Sequence, residues 1–234
     1  MRTIQKSSPP DKLVEWRAKY KDDPNFGYAL MRQDSDVTEA VVESLLQEQG
    51  RLCAYTGRPI NEERRHIEHM LPQCYSPTGQ REPRGVEEEA CRGRDVDYTN
   101  MVACYPEPNH RRQLPYGAPK KGSWPPPSKE DEFVKPTQSD CEARFVFDRR
   151  GRVSTKDGDH RAAETCRRLN LTHPELTQLR KDAIQGVLNP RGKGYPGKAG
   201  LRKALAKLES ESGRLTWYCF STKQALAHLI RKAA

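Results

Sequence analysis

Eight of the chain's 18 prolines fall between residues 105 and 140, and that crowding limits what the middle of the molecule can become. Proline lacks the backbone N–H and clashes with the preceding turn, so no long helix can run through this stretch. Turns and short elements are expected there, with Trp124-Pro125-Pro126-Pro127 read as a stiff surface linker. Regular structure must lie on either side. Upstream, a short helix is read at 11–19. A firmer one opens at Asp36, where Asp36 and Glu39 have capping-box spacing. Val37, Val41, Val42, Leu45 and Leu46 share its apolar face, and Gly50 stops it. Residues 52–55 and His66–His69 read as short strands around a Gly57-Arg58-Pro59 turn. Residues 74–97 read as a mobile, charged loop. Downstream, 143–147 and 152–154 flank Arg149-Arg150-Gly151 as a hairpin. Helices follow near 161–169, from a Thr172/Glu175 capping box through Val187, across 201–208 and across 225–230, with a break at 190–197. Short strands among longer helices describe an α+β chain.

The charge balance narrows the partner class. In 234 residues, Lys+Arg outnumber Asp+Glu by 41 to 32, giving +9 with neutral histidines, which favours polyanions and nucleic acid first among them. No run of roughly 18 apolar residues exists, so no membrane-spanning helix is expected. The first residues have no apolar h-region, so a cytoplasmic location is expected. The seven cysteines (53, 74, 91, 104, 141, 166 and 219) form no CxxC pair, and reduced thiols are expected rather than a disulfide framework.

Chemistry-bearing residues gather in three places. His66-Ile67-Glu68-His69 offers imidazoles that can act as a base near neutral pH and a carboxylate that can hold a hard cation. Asn100, Cys104, Asn109 and His110 are followed by Arg111 and Arg112, two guanidiniums suited to phosphate. The loop Gly117-Ala118-Pro119-Lys120-Lys121-Gly122 adds Lys120 and Lys121, with glycines that permit close backbone approach. Basic helical stretches at 161–168, 180–181 and 198–207 read as solvated faces, some of which are expected to guide substrate. No GxxxxGK[ST] loop is present, so the chain is not expected to hydrolyse ATP.

Taken in order, the pieces resemble one family. They run Met1-Arg2-x-Ile4-x-Lys6, then Leu45-Leu46-x-Glu48-Gln49-Gly50-x-Leu52-Cys53-Ala54-Tyr55, then Ile67-Glu68-His69-x-x-Pro72. Next come Asp97-Tyr98-x-Asn100-Met101-Val102-Ala103-Cys104, the loop ending at Gly122, and Leu169-Asn170-Leu171 with Leu176 and Arg180. Residues 1 to about 185 thereby resemble the HNH endonuclease of Septu-type and retron-associated antiphage defence systems, the PtuB-like family.

The resemblance implies a ββα-metal nuclease core at 51–122. The polar stretch 1–34 offers few core residues, so the N-terminal arm and helix at 1–50 are expected to dock on a partner, and residues 123–234 would pack on the core. It implies His69 as the general base, Glu68 as the preceding acidic residue and a metal ligand, and Asn100 as the residue that orients the strands and the histidine. The last signature position falls on Asn109, with His110 an equal candidate as metal ligand. Arg111, Arg112, Lys120 and Lys121 would meet nucleic acid. The implied cofactor is Mg²⁺ or Mn²⁺. Family members often carry CxxC pairs for a structural zinc. Here Thr56 follows Cys53-Ala54-Tyr55, and Cys104 also lacks its second thiol, so no structural zinc is expected. The implied partners are a Septu ABC-type ATPase and a DNA or tRNA substrate. A retron-associated member would also meet a reverse transcriptase with its RNA–DNA product. The alternative is a catalytically inactive adaptor that keeps the fold and binds nucleic acid or the ATPase.

Overall fold

Three helices open the chain: α1 (Asp11–Tyr20), α2 (Tyr28–Met31) and α3 (Ser35–Glu48). The structure, a computed structural model, describes residues 1–73, 93–192 and 197–232. The apolar stripe expected on α3 is buried as read. Its cap differs: the Asp34 side chain, not that of Asp36, accepts the Val37 N–H at 3.2 Å and satisfies one orphan donor of the first turn. The expectation that residues 1–34 contribute little to the core is corrected. Met1, Ile4, Leu13, Trp16 and Met31 are all buried in it. Lys6 fastens the arm by bonding Glu48 at 2.8 Å while its ammonium lies over the Tyr98 ring.

A two-stranded antiparallel sheet follows, β1 (His66–His69) against β2 (Met101–Cys104), with His66 opposite Cys104 and His69 opposite Met101. Residues 52–55 do not form the strand expected of them. They turn tightly, with Gly57 N–H bonding the Cys53 carbonyl, and one bridge joins Leu52 to Pro59. The chain then passes the one-turn helix α4 (Ala118–Lys121). Trp124 is not on a surface linker. It is 4% exposed and packs edge-on against Phe133.

The second hairpin stands where it was read, β3 (Phe145–Phe147) with β4 (Val153–Thr155). Four helices complete the chain: α5 (His160–Arg168), α6 (Pro174–Leu188), α7 (Lys198–Glu209) and α8 (Cys219–Lys232). At α6 the cap is His173, whose Nδ1 accepts the Glu175 N–H, rather than Thr172. Most of the described chain through Leu176 shares one apolar core, and Ile184, Leu188, Leu201, Leu208 and Leu226 form a second cluster where α6, α7 and α8 meet. The described residues thus form a mixed α+β chain. None of their helices is long and apolar enough to cross a membrane.

Arg180 departs from its expected role of guiding substrate. It is 2% exposed, and its guanidinium donates to the Gly151 and Leu171 carbonyl oxygens at 2.8 and 2.7 Å. Planar donors in a fixed fork let one side chain tie the hairpin turn to α6. The reading of 74–97 as a mobile loop lies outside the described residues for 74–92, as do Cys74 and Cys91.

Candidate active site

Two side-chain amides, Gln49 buried and Asn100 partly buried, position the first sheet. Gln49, at the end of α3, donates to the Ala103 carbonyl at 2.8 Å and accepts the Ala103 N–H at 2.7 Å, standing in for a neighbouring strand. Asn100 sits at the entrance to β2. Its Oδ1 accepts the Leu71 N–H at 2.7 Å, and its Nδ2 donates to the carbonyls of Leu71 and Arg94 at 2.9 Å each. One side chain therefore joins the exit of β1 to the approach of β2.

His69 ends β1 and is 4% exposed. Its Nε2 lies 2.8 Å from the Asp95 carbonyl oxygen. A carbonyl only accepts, so Nε2 carries the proton and, in the neutral ring, Nδ1 carries the lone pair. Burial lowers the pKa of His69, which outweighs the opposing pull of the Asp95 carbonyl and Glu68. The imidazole is thus held neutral in one tautomer. Its ring meets Tyr28 edge-on at 4.5 Å between centroids.

Glu68 faces the other way, because side chains alternate along a strand. Its Oε1 is 2.9 Å from the Lys121 ammonium, and its Oε2 is 3.5 Å from His66 Nε2. Burial alone would raise the carboxyl, but Lys121 and His66 overcome it and hold the pKa at about 2. The partnership raises His66 in turn: burial lowers it, and Glu68 together with the Pro106 carbonyl at 2.5 Å prevail. Lys121 is not the surface phosphate contact expected of it. Its side chain is 1% exposed, and its Nζ donates to the His69 carbonyl at 3.0 Å as well as meeting Glu68. Lys120, its neighbour, is exposed.

Glu68 and His66 open onto a cleft of about 690 Å³. The loop after β2 forms one wall, with Glu107, His110, Arg111 and Arg112. Tyr28, Arg32 and Arg65 contribute to the lining from the N-terminal side. Four guanidiniums against two carboxylates make the cleft cationic. Arg112 is also 3.4 Å from Glu175 on α6, so the wall is tied to the C-terminal helices. His69 is not among the lining residues, whereas its ring partner Tyr28 is.

The residues expected as metal ligands are not assembled into a donor set. His110 has both nitrogens engaged, Nδ1 with Glu107 at 2.7 Å and Nε2 with the Tyr105 hydroxyl at 3.3 Å. Asn109 is exposed, and Glu68 is bonded as described. Among the described residues no three His, Cys, Asp or Glu side chains group closely enough to hold one ion. As placed, these side chains do not fit a divalent metal.

Cys53 and Cys104, the leading thiols of the two interrupted pairs, are both buried and free. Burial would raise Cys53, but hydrogen bonds from Cys104, Thr56 and the Tyr105 N–H bring it down to about 6. The Tyr105 N–H lies 3.3 Å from the Cys53 sulfur.

Sequence reading placed His66 in the site-like cluster without assigning it a role, and did not name Asp95, Tyr28, Arg32 or Arg65 as site residues. The two-residue spacing of His66 and Glu68 on a strand was a usable signal for their shared face. Residues 28 to 32 carry no local signal, because only the packing of α2 brings them to the cleft. No protein-family model and no curated protein sequence matches this chain.

Proposed function

We propose that this chain is an HNH-type endonuclease that hydrolyses phosphodiesters in nucleic acid, acting as the effector of an antiphage system under a Septu ABC-type ATPase. The observation that carries the reading is His69: a neutral imidazole whose Nε2–H is committed to the Asp95 carbonyl, leaving Nδ1 as the basic atom, on a hairpin braced by Asn100. Such a group takes a proton from water as its oxygen attacks phosphorus, while the P–O bond to the leaving ester oxygen breaks and that oxygen is protonated from solvent. Arg32, Arg65, Arg111 and Arg112 neutralise the phosphate's charge from the cleft walls. Tyr28 both lines that cleft and meets the imidazole edge-on, so in this reading its ring shifts for the imidazole to reach the attacking water. Mg²⁺ or Mn²⁺ enters no step here, since Glu68, His110 and Asn109 do not assemble around an ion.

The test is a cleavage assay on plasmid DNA and total tRNA, with and without the ATPase, comparing the wild type with His69→Ala. Cutting by the wild type alone supports the reading, and the substrate consumed separates DNA from RNA. Equal cutting by the variant removes His69 from the role of base.

A second reading, the inactive adaptor, is favoured by one observation: Lys121 already occupies the carboxylate beside the imidazole. It gains if the wild type binds nucleic acid but cuts neither substrate under any of these conditions.

A further inference from the structure

Glu68 is the carboxylate a divalent cation would be expected to occupy, and a lysine holds it instead. The Lys121 ammonium bonds Glu68 Oε1 at 2.9 Å and the His69 carbonyl at 3.0 Å, so a single cation clamps two consecutive residues of β1. Its side chain is 1% exposed, which leaves it no route to water without moving α4. A short helix carries it. α4 is a single turn bounded by Gly117 and Gly122, both at positive φ, where an L side chain is strained. The surroundings add positive charge, with four guanidiniums lining the same cleft. A divalent ion brought to Glu68 would sit against a buried ammonium already bonded to two oxygens, and like charges repel strongly where water is excluded. A phosphodiester meets the opposite field.

We infer that Lys121 replaces a divalent cation at Glu68, so that this cleft takes up a nucleic-acid phosphate with protein cations and has no metal requirement at that carboxylate. The inference rests on the cleft being the phosphodiester site. It concerns how the site is charged, so it can be tested without any turnover.

Two measurements on the full chain decide it. In the first, Mn²⁺ is titrated into the wild type, Lys121→Met and the double variant Glu68→Gln/Lys121→Met, with free Mn²⁺ followed by electron paramagnetic resonance. The expected result is no difference between wild type and double variant. The single variant uncovers the carboxylate and binds Mn²⁺ about tenfold or more tightly than wild type. In the second, a fluorescein-labelled single-stranded oligonucleotide is bound to the wild type in EDTA and in Mg²⁺ at matched ionic strength, and equal affinity is expected. A wild-type Mn²⁺ site that disappears in the double variant overturns the proposal, as does loss of oligonucleotide binding in EDTA. If Lys121→Met alone fails to fold, the comparison of wild type with double variant still gives the answer, because removing both charges leaves neither one buried and unpaired. Absence of cleavage would count against the nuclease reading and leave these two measurements unaffected.

Discussion

Glu68 and His69 are consecutive in the chain and stand back to back in space. β1 turns Glu68 to the cleft and to Lys121, and turns His69 to Tyr28 and the carbonyl of Asp95. The two roles read from adjacent letters are thus separated by the width of a strand. One Lys121 ammonium touches both residues, Glu68 through its carboxylate and His69 through its main-chain carbonyl.

The tautomer of His69 sets a pH expectation. Burial lowers the imidazole below its ordinary value of 6.5, so the ring is in its basic form at neutral pH. The acid limb of kcat/KM for oligonucleotide cleavage by the wild type should therefore lie below pH 6.5. A limb above 6.5 would assign the titration to another group.

Asn100 should matter to folding as well as to the site. Asn100→Ala removes three hydrogen bonds at the hairpin and leaves two carbonyls and one N–H to find other partners. A loss of about 2–3 kcal/mol is expected in urea unfolding. Asn100→Asp should be no better, since a carboxylate cannot donate to the carbonyls of Leu71 and Arg94.

Glu68 gives the stability curve an acid slope. Its folded pKa of about 2 lies below the ordinary 4.5, so its contribution is complete above 4.5 and is lost as pH falls from there toward 2. Urea midpoints measured from pH 6 down to pH 3 should drop more for the wild type than for Glu68→Gln/Lys121→Met. Parallel curves would show that the ion pair does not couple protonation to folding.

Arg111 and Arg112 are exposed on the cleft wall and should act as phosphate contacts. Replacing either with alanine should weaken single-stranded oligonucleotide binding across sequences and make the plot of log K against log salt shallower by about 0.7 per arginine. An unchanged slope would place the strand elsewhere.

Gly151 tests the tie between the second hairpin and α6. A Cβ built there would lie 2.2 Å from the Thr177 carbonyl oxygen and 2.6 Å from the Lys181 nitrogen, at a backbone φ of +76°. Gly151→Ala should cost more than about 2 kcal/mol of stability, because both contacts are to helix backbone that cannot yield. A thermal melt close to wild type would mean that the turn can lift off α6 freely.

Much of the secondary structure was legible in advance, and for a local reason. The stripe of Val37, Val41, Val42, Leu45 and Leu46, and the apolar pairs around Arg149-Arg150-Gly151, are periodic patterns that a few turns of chain suffice to define. Caps were less secure, since several residues near a helix start can compete for the same orphan N–H. Asp34 and His173 took the places expected for Asp36 and Thr172.

The order of residues specifies which side chains can do chemistry and that those of β1 alternate between two faces. What each face meets depends on the packing of distant segments. Lys121 reaches β1 from 52 residues beyond His69, Tyr28 from an arm expected to stay outside the core, and Arg180 leaves a basic helix for the interior. Spacing along the chain carries no information about such meetings. They arise when burial of separate apolar stripes fixes the path of the backbone, and a charge carried inside with it must find a partner there.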